Sequence, residues 1–367
     1  MGRMGKLGTG IGAAALAAVL LTTASLPAAA APRQKAGSWG QLTTTTAQVA
    51  AGFPSATVAS SDPTLAVATT ATMSATTPPG QVYGTSAGST YLSVSPVSAS
   101  VPSSTTITFA APTPPEFWSF VFGDIDSESV QVSATAPDGS PVAIADLGFR
   151  GAYNSLGQSD QPNWDAATGV LSGNVAASDG ASGWFSPTVP LSTLTFTSTT
   201  LNFAPRLQFW MVGLTASLSG RVVDTSGAPV ANATVAVQQP DATPLPGPPA
   251  TAVTDGNGAY DIPVFPSAEP VQVVVTPADR AAPDPVVATP TPDADGVPVF
   301  DAVDVTAVAL PTAPPTTPPA VDPADTAPTL PATGVSAPGW LIGGAIAAVV
   351  LGLALAVAAR IRRRSPR

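Results

Sequence analysis

Ser104-Thr105-Thr106-Ile107-Thr108-Phe109-Ala110 sets hydroxyl and apolar side chains in alternation. A period of two puts one set on a buried face and the other toward water, which describes a half-buried β-strand. The same alternation returns in Val130-Gln131-Val132-Ser133-Ala134-Thr135-Ala136, followed by the turn sequence Pro137-Asp138-Gly139-Ser140. Trp164 to Leu171 reads as a hairpin with Gly169 at its positive-φ position, and Leu191 to Leu201 as a further strand. Helix signals are nearly missing between Trp39 and Leu310; short runs of Thr, Val and Ser alternate with Pro, Gly and Asp turns. These features predict an all-β chain.

Phe117, Trp118, Phe120 and Phe122 supply much of an expected core, with Gly183-Trp184-Phe185 and Leu207-Gln208-Phe209-Trp210-Met211 as further aromatic strands. Residues 40–216 are expected to form one β-sandwich of jelly-roll type, the interaction module. Residues 32–39 are a short leader, and the Thr/Ala/Ser-rich stretch Leu42 to Thr77 reads either as part of the sandwich or as a loose extension of that leader.

Downstream, Leu218-Ser219-Gly220-Arg221-Val222-Val223-Asp224-Thr225-Ser226-Gly227-Ala228-Pro229-Val230 leads to Ala233–Val237. Then come Thr254-Asp255-Gly256-Asn257-Gly258-Ala259-Tyr260-Asp261-Ile262 and Val271–Val275. Asp255 to Gly258 makes a tight turn, after which Tyr260 points inward as an anchor. This order resembles the carboxypeptidase regulatory-like and collagen-binding B-type family. The resemblance implies a second, transthyretin-like Greek-key sandwich over residues 217–309, a spacer without peptidase residues. Many B-type domains of Gram-positive surface proteins carry a lysine–asparagine isopeptide bond. Here the only lysines are Lys6 and Lys35, both expected before the folded region, so that cross-link has no donor in either sandwich, and a pilus shaft subunit would lack its acceptor amine.

Both ends carry addressing signals. Arg3 and Lys6, the apolar Ile11–Leu26 and the small residues Ala28–Ala31 read as a signal peptide over 1–31, implying secretion. Residues 310–329 are a Pro/Thr-rich, wall-spanning stalk, about 60 Å long if extended as polyproline II. Leu330-Pro331-Ala332-Thr333-Gly334 comes next, then an uncharged apolar run over 339–359, long enough for a transmembrane helix, then a basic tail over 360–367 with five arginines. This three-part pattern resembles the LPXTG sorting signal of Gram-positive cell-wall proteins. It implies that a sortase cleaves between Thr333 and Gly334 and joins Thr333 to peptidoglycan, after transient membrane insertion. The composition, rich in alanine and proline and nearly free of lysine, fits an actinobacterial source.

Between the two processing sites stand six basic residues (Arg33, Lys35, Arg150, Arg206, Arg221, Arg280) against 23 acidic ones, a net charge of −17. That charge disfavours nucleic acid as a partner. With no cysteine and no histidine, thiol chemistry, serine triads and the commonest transition-metal ligands are out. Carboxylate pairs are the remaining catalytic route, and Glu116, Glu128 and Glu269 sit in no catalytic motif. The expectation is therefore not an enzyme. In an extended strand Asp124, Asp126 and Glu128 would share one face, a set of hard oxygen donors suited to calcium; a solvated acidic loop is the plainer reading. Asp293, Asp295, Asp301 and Asp304 make a weaker cluster. Trp39, Trp164 and Trp184 stand in turn-like contexts, where core packing competes with stacking on a sugar ring. The function these features imply is adhesion, to a host protein or glycan. The alternatives are a structural surface or pilus-tip component and a carbohydrate-acting enzyme.

Overall fold

The computed structural model describes residues 35–98, 100–174, 179–201 and 206–308. The expected signal peptide, stalk, sorting motif, transmembrane run and basic tail all lie outside these. Strand dominates, and the described residues hold a single α-helix, Pro78–Tyr83, so the all-β class holds. That helix opens on Pro78, whose missing N–H is no loss at a helix start, and Thr77 Oγ1 accepts from the Gly80 amide at 3.2 Å.

Two large sheets face each other. The first has the order Phe149–Asn154, Ala181–Phe185, Trp118–Gly123, Leu207–Asp224, Tyr91–Val94, Ala66–Ala68. Lys35–Trp39, Ala259–Val264 and Val305–Ala307 also pair with the long strand Leu207–Asp224. The second has the order Asn163–Asp165, Val170–Ser172, Glu128–Thr135, Thr193–Thr200, Ser103–Phe109, Ala56–Ser60, Thr46–Gln48, Gln41–Leu42. Their inner faces follow from the period of two. On Trp118–Gly123, Trp118, Phe120 and Phe122 turn inward. They meet Phe185, Phe196 and Phe209, with Phe120 stacked on Phe185 at 4.8 Å and Phe122 edge-on to Phe196 at 5.2 Å. Phe117 departs from its expected core place. It takes a left-handed φ of 66° just before the strand and is only half-buried.

The expected strands are found as Ser103–Phe109, Glu128–Thr135 and Thr193–Thr200. The Asn163–Ser172 hairpin turns on Gly169 at φ 72°. The stretch Leu42 to Thr77 belongs to the sandwich: Leu42 and Phe53 are fully buried, and Ala56–Ser60 pairs with Ser103–Phe109. Lys35–Trp39, read above as leader, is a strand paired with Val212–Ala216.

A smaller sheet, ordered Thr251–Val253, Thr234–Gln238, Val271–Thr276, Val286–Ala288, packs with the end of the long strand and with Ala259–Val264 around a separate core. Tyr260 is buried there, its hydroxyl donating to the Val303 carbonyl at 2.6 Å, so the anchor role holds. The two cores share Leu207–Asp224, 18 residues and about 60 Å of uninterrupted strand. The junction beside it is tight. Phe265 packs on Phe53 at 5.2 Å, its amide donates to the Ala51 carbonyl, and Gly247 at φ 84° passes so near the Phe53 carbonyl that a Cβ would collide with it.

Candidate functional site

The site most open to chemistry lies on the outer face of the first sheet. On the long strand, Leu207, Phe209 and Met211 enter the inter-sheet core, so Gln208, Trp210 and Val212 face outward. That face is not bare. Trp210 and Val212 lie in a second apolar cluster with Trp39, Met73, Tyr83 and Tyr91, over which the segment around Pro78–Tyr83 closes. Tyr91 packs on Trp210 at 4.7 Å. Ser119 is a polar knot within this layer, its Oγ accepting from Trp184 Nε1 at 2.9 Å and bonding the Tyr83 and Ser186 hydroxyls.

Beside Trp210 the covering layer leaves a cavity of about 400 Å³. Its walls include Thr70, Thr72, Asp124, Leu156, Asp179 and Gln208. Gln208 Nε2 donates to Asp124 Oδ2 at 3.4 Å. Asp124 holds a left-handed φ of 63°, a strained conformation for a residue with a Cβ, where the chain leaves the first sheet. Burial, helped by the charges of Asp126 and Asp179 and opposed by the Gly180 amide, pushes its carboxyl up to about 6.

The three carboxylates proposed for calcium do not share an extended face. Asp124 and Asp126 stand in the loop between Trp118–Gly123 and Glu128–Thr135, and Glu128 begins the second strand, pointing inward. Asp124 and Asp126 are half-buried while Glu128 is 0% exposed. Glu128 Oε1 has no hydrogen-bond partner in the geometry, and Oε2 accepts the Ser127 amide at 3.1 Å. Burial, then the charges of Asp126 and Asp124, push this carboxyl up to about 9, so it is a neutral acid at pH 7. Among the described residues no group of three or more carboxylates is placed to hold a metal ion.

Other candidates have structural partners. Asp255 Oδ1 accepts the Asn257 and Ala259 amides at 2.8 Å, the turn role expected of it. Asp293 Oδ1 does the same for Asp295 and Val297, and Asp304 Oδ1 accepts the Arg221 amide at 2.8 Å. Glu116 and Glu269 are exposed. Trp39 is buried and donates to the Gly84 carbonyl at 3.1 Å; Trp164 stacks on Phe149 at 5.2 Å; Trp184 is half-buried under the Arg150 guanidinium. Trp39 thus belongs to a core, and Trp164 and Trp184 are half-buried rings packed against one. Trp210, which lines a cavity, stands in the sequence as one aromatic of a strand; the alternation of 207–212 is the signal that it faces away from the inter-sheet core.

Residues 217–308 match the carboxypeptidase regulatory-like domain, about a quarter of the chain. The segment named on its turn sequences thus carries that domain. No curated protein matches the chain. Among solved structures, the major pilin subunit BcpA of Bacillus cereus is 11% identical over 59% of this chain and 66% of its own, with a TM-score of 0.21. The full-length major pilin SpaD from Corynebacterium diphtheriae is 15% identical over 59% and 64%, with a TM-score of 0.20. The pilus adhesin RrgA from Streptococcus pneumoniae is 10% identical over 54% and 33%, with a TM-score of 0.17. The chain thus spans slightly less than two thirds of the length of these pilins. TM-scores this low let the likenesses bear on neither fold detail nor function.

Proposed function

We propose that the chain is a secreted surface protein of a Gram-positive cell, anchored to peptidoglycan through Thr333, whose folded part serves as an adhesin or ligand-binding module. The observation that carries this reading is the sequence order Leu330-Pro331-Ala332-Thr333-Gly334, apolar run 339–359, arginine tail 360–367, with a signal peptide at the other end. A sortase recognises Leu330 to Gly334, its thiolate attacks the Thr333 carbonyl, the Thr333–Gly334 bond breaks, and a peptidoglycan amine takes the acyl group. The chain is the substrate of that exchange. The domain division proposed is a ligand-facing sandwich over 35–216, extended from the expected 40–216 by the strand Lys35–Trp39, and a carboxypeptidase regulatory-like spacer over 217–309, raised on the 310–329 stalk. A binding role fits the absence of histidine and cysteine and the outward-facing cavity beside Trp210.

The anchor is tested by Thr333→Ala in a Gram-positive host with its sortase. The variant is expected to leave the muramidase-released wall fraction and collect in membrane and medium. Retention in the wall at the wild-type level defeats the reading.

A further inference from the structure

The shared strand begins in the aromatic core at Leu207 and ends at Asp224, in the second core. Val305–Ala307, the last described strand, lies along that far end: Val305, Thr306 and Ala307 stand opposite Val222, Val223 and Asp224. The pairing is parallel, so Val305–Ala307 runs away from the aromatic core and delivers the chain to the exposed Val308. The contact extends back along the strand. The Val303 amide donates to the Ser219 carbonyl at 2.8 Å, and the Arg221 amide donates to Asp304 Oδ1 at 2.8 Å. The two segments approach so closely that a Cβ at Gly220 would collide with the Val303 carbonyl. Val305 and Ala307 are buried in the second core.

This arrangement has a mechanical consequence. A pull between sandwich and stalk drags the shared strand toward Leu207 and drags Val305–Ala307 toward Val308. The two directions are opposite and lie along one axis. Hydrogen bonds between the strands are then loaded sideways and together, whereas peeling loads them one after another. While they hold, tension passes from stalk to shared strand and into the aromatic core, and residues 225–302 stay out of the line of load. Nothing equally firm stands behind them. Val286–Ala288 is an edge strand, paired only with Val271–Val273. Residues 217–308 contain no lysine to supply a cross-link that would stop extension.

We propose that Val303–Ala307, lying along Ser219–Asp224, is a tension-bearing latch whose release lets the carboxypeptidase regulatory-like segment unravel from its C-terminal end while the sandwich stays folded. The inference rests on the anchored reading above, which supplies the load, and gives the second segment a mechanical role. Release adds roughly 80 residues to the tether, at most roughly 270 Å.

The test is single-molecule pulling of the purified full chain in detergent. The chain has no cysteine, so single thiols serve as handles where they are introduced. One handle is Ser159→Cys, at an exposed position of the sandwich; the other is Thr316→Cys in the stalk sequence. The first event expected is one step of roughly 270 Å, with the sandwich opening only at higher load. Lifetime under constant load reports the unfolding rate. Asp304→Ala, a change at an exposed side chain that removes the acceptor of the Arg221 amide, is expected to shorten that lifetime about tenfold with the step length unchanged. Moving the second handle to the exposed Thr225, as Thr225→Cys, loads the shared strand directly, and the first step should vanish. That comparison alters no latch residue, so it decides the matter should Asp304→Ala fold poorly. The sandwich opening first, an unchanged lifetime for Asp304→Ala, or the same step from the Thr225 handle each overturns the proposal. Pulling needs no sortase and no wall, so wall retention of Thr333→Ala defeats the anchor reading and leaves the measured latch standing. Loss of wall attachment in Thr333→Ala, with no latch step, removes this inference alone.

Discussion

The two cores are filled with different material. The first holds Phe53, Phe109, Trp118, Phe120, Phe122, Phe185, Phe196 and Phe209, many in ring–ring contact. The second is built mainly from valine and alanine, with Tyr260 and Phe300 as its buried rings. Large rings span the gap between two wide sheets, while branched aliphatics fill a smaller body. The first region carries a covering layer, an outer cavity beside Trp210 and a strained acidic loop; the second borders a cavity lined by Leu245, Val264, Phe265 and Phe300.

The contrast is sharpest in large-to-small substitution. Phe122→Ala removes a ring that touches Phe120, Phe185, Phe196 and Phe209, and is expected to cost about 4 kcal/mol. Val273→Ala in the second core is expected to cost about 2 kcal/mol. Because Leu207–Asp224 runs through both cores, each substitution should shift one shared calorimetric transition. Two separate transitions, each moved by only its own variant, would show that the strand does not couple the regions.

Glu128 gives the next largest effect. Its folded carboxyl is raised to about 9 from an ordinary value near 4.5. The native state therefore binds a proton that the unfolded chain releases, and stability falls as pH rises from about 4.5 toward 9. Glu128→Gln keeps the shape and cannot ionise. At pH 7 it should stabilise the protein by on the order of 3 kcal/mol and flatten that pH dependence. A destabilised variant with the slope intact would mean that the carboxylate is charged in the fold.

The smallest effect belongs to the second region. The Asp224 carboxylate accepts from the Ser226 hydroxyl and from the Ala228 and Ser226 amides, and lies beside Arg280. These bonds hold it down to about 2. A depressed carboxyl adds stability that is complete above its unfolded value near 4 and is lost as pH falls toward 2. Asp224→Asn should lower the melting temperature slightly at pH 7 and remove part of the acid limb between pH 4 and 2. An acid limb identical to wild type would take Asp224 out of that turn's electrostatics.

Much of this fold was legible because strand alternation and turn chemistry are local. Ser103–Phe109 shows its inward face in its hydroxyl–apolar order, and Asp255–Gly258 shows its turn in four residues. Other features were not local. Lys35–Trp39 looks like leader because its pairing partner, Val212–Ala216, lies far along the chain. Asp124, Asp126 and Glu128 look like one face because two-residue spacing assumes one strand, whereas the chain crosses between sheets there through a left-handed Asp124.

The sequence by itself determined the β class, the turns, the carboxypeptidase regulatory-like segment and the absence of histidine and cysteine chemistry, since each depends on residue type and short spacing. Only the tertiary structure decided that Glu128 is a neutral acid in a core and that Trp210 keeps an unanswered N–H beside a cavity. A side chain's charge state and hydrogen-bond debt depend on what distant strands bring against it.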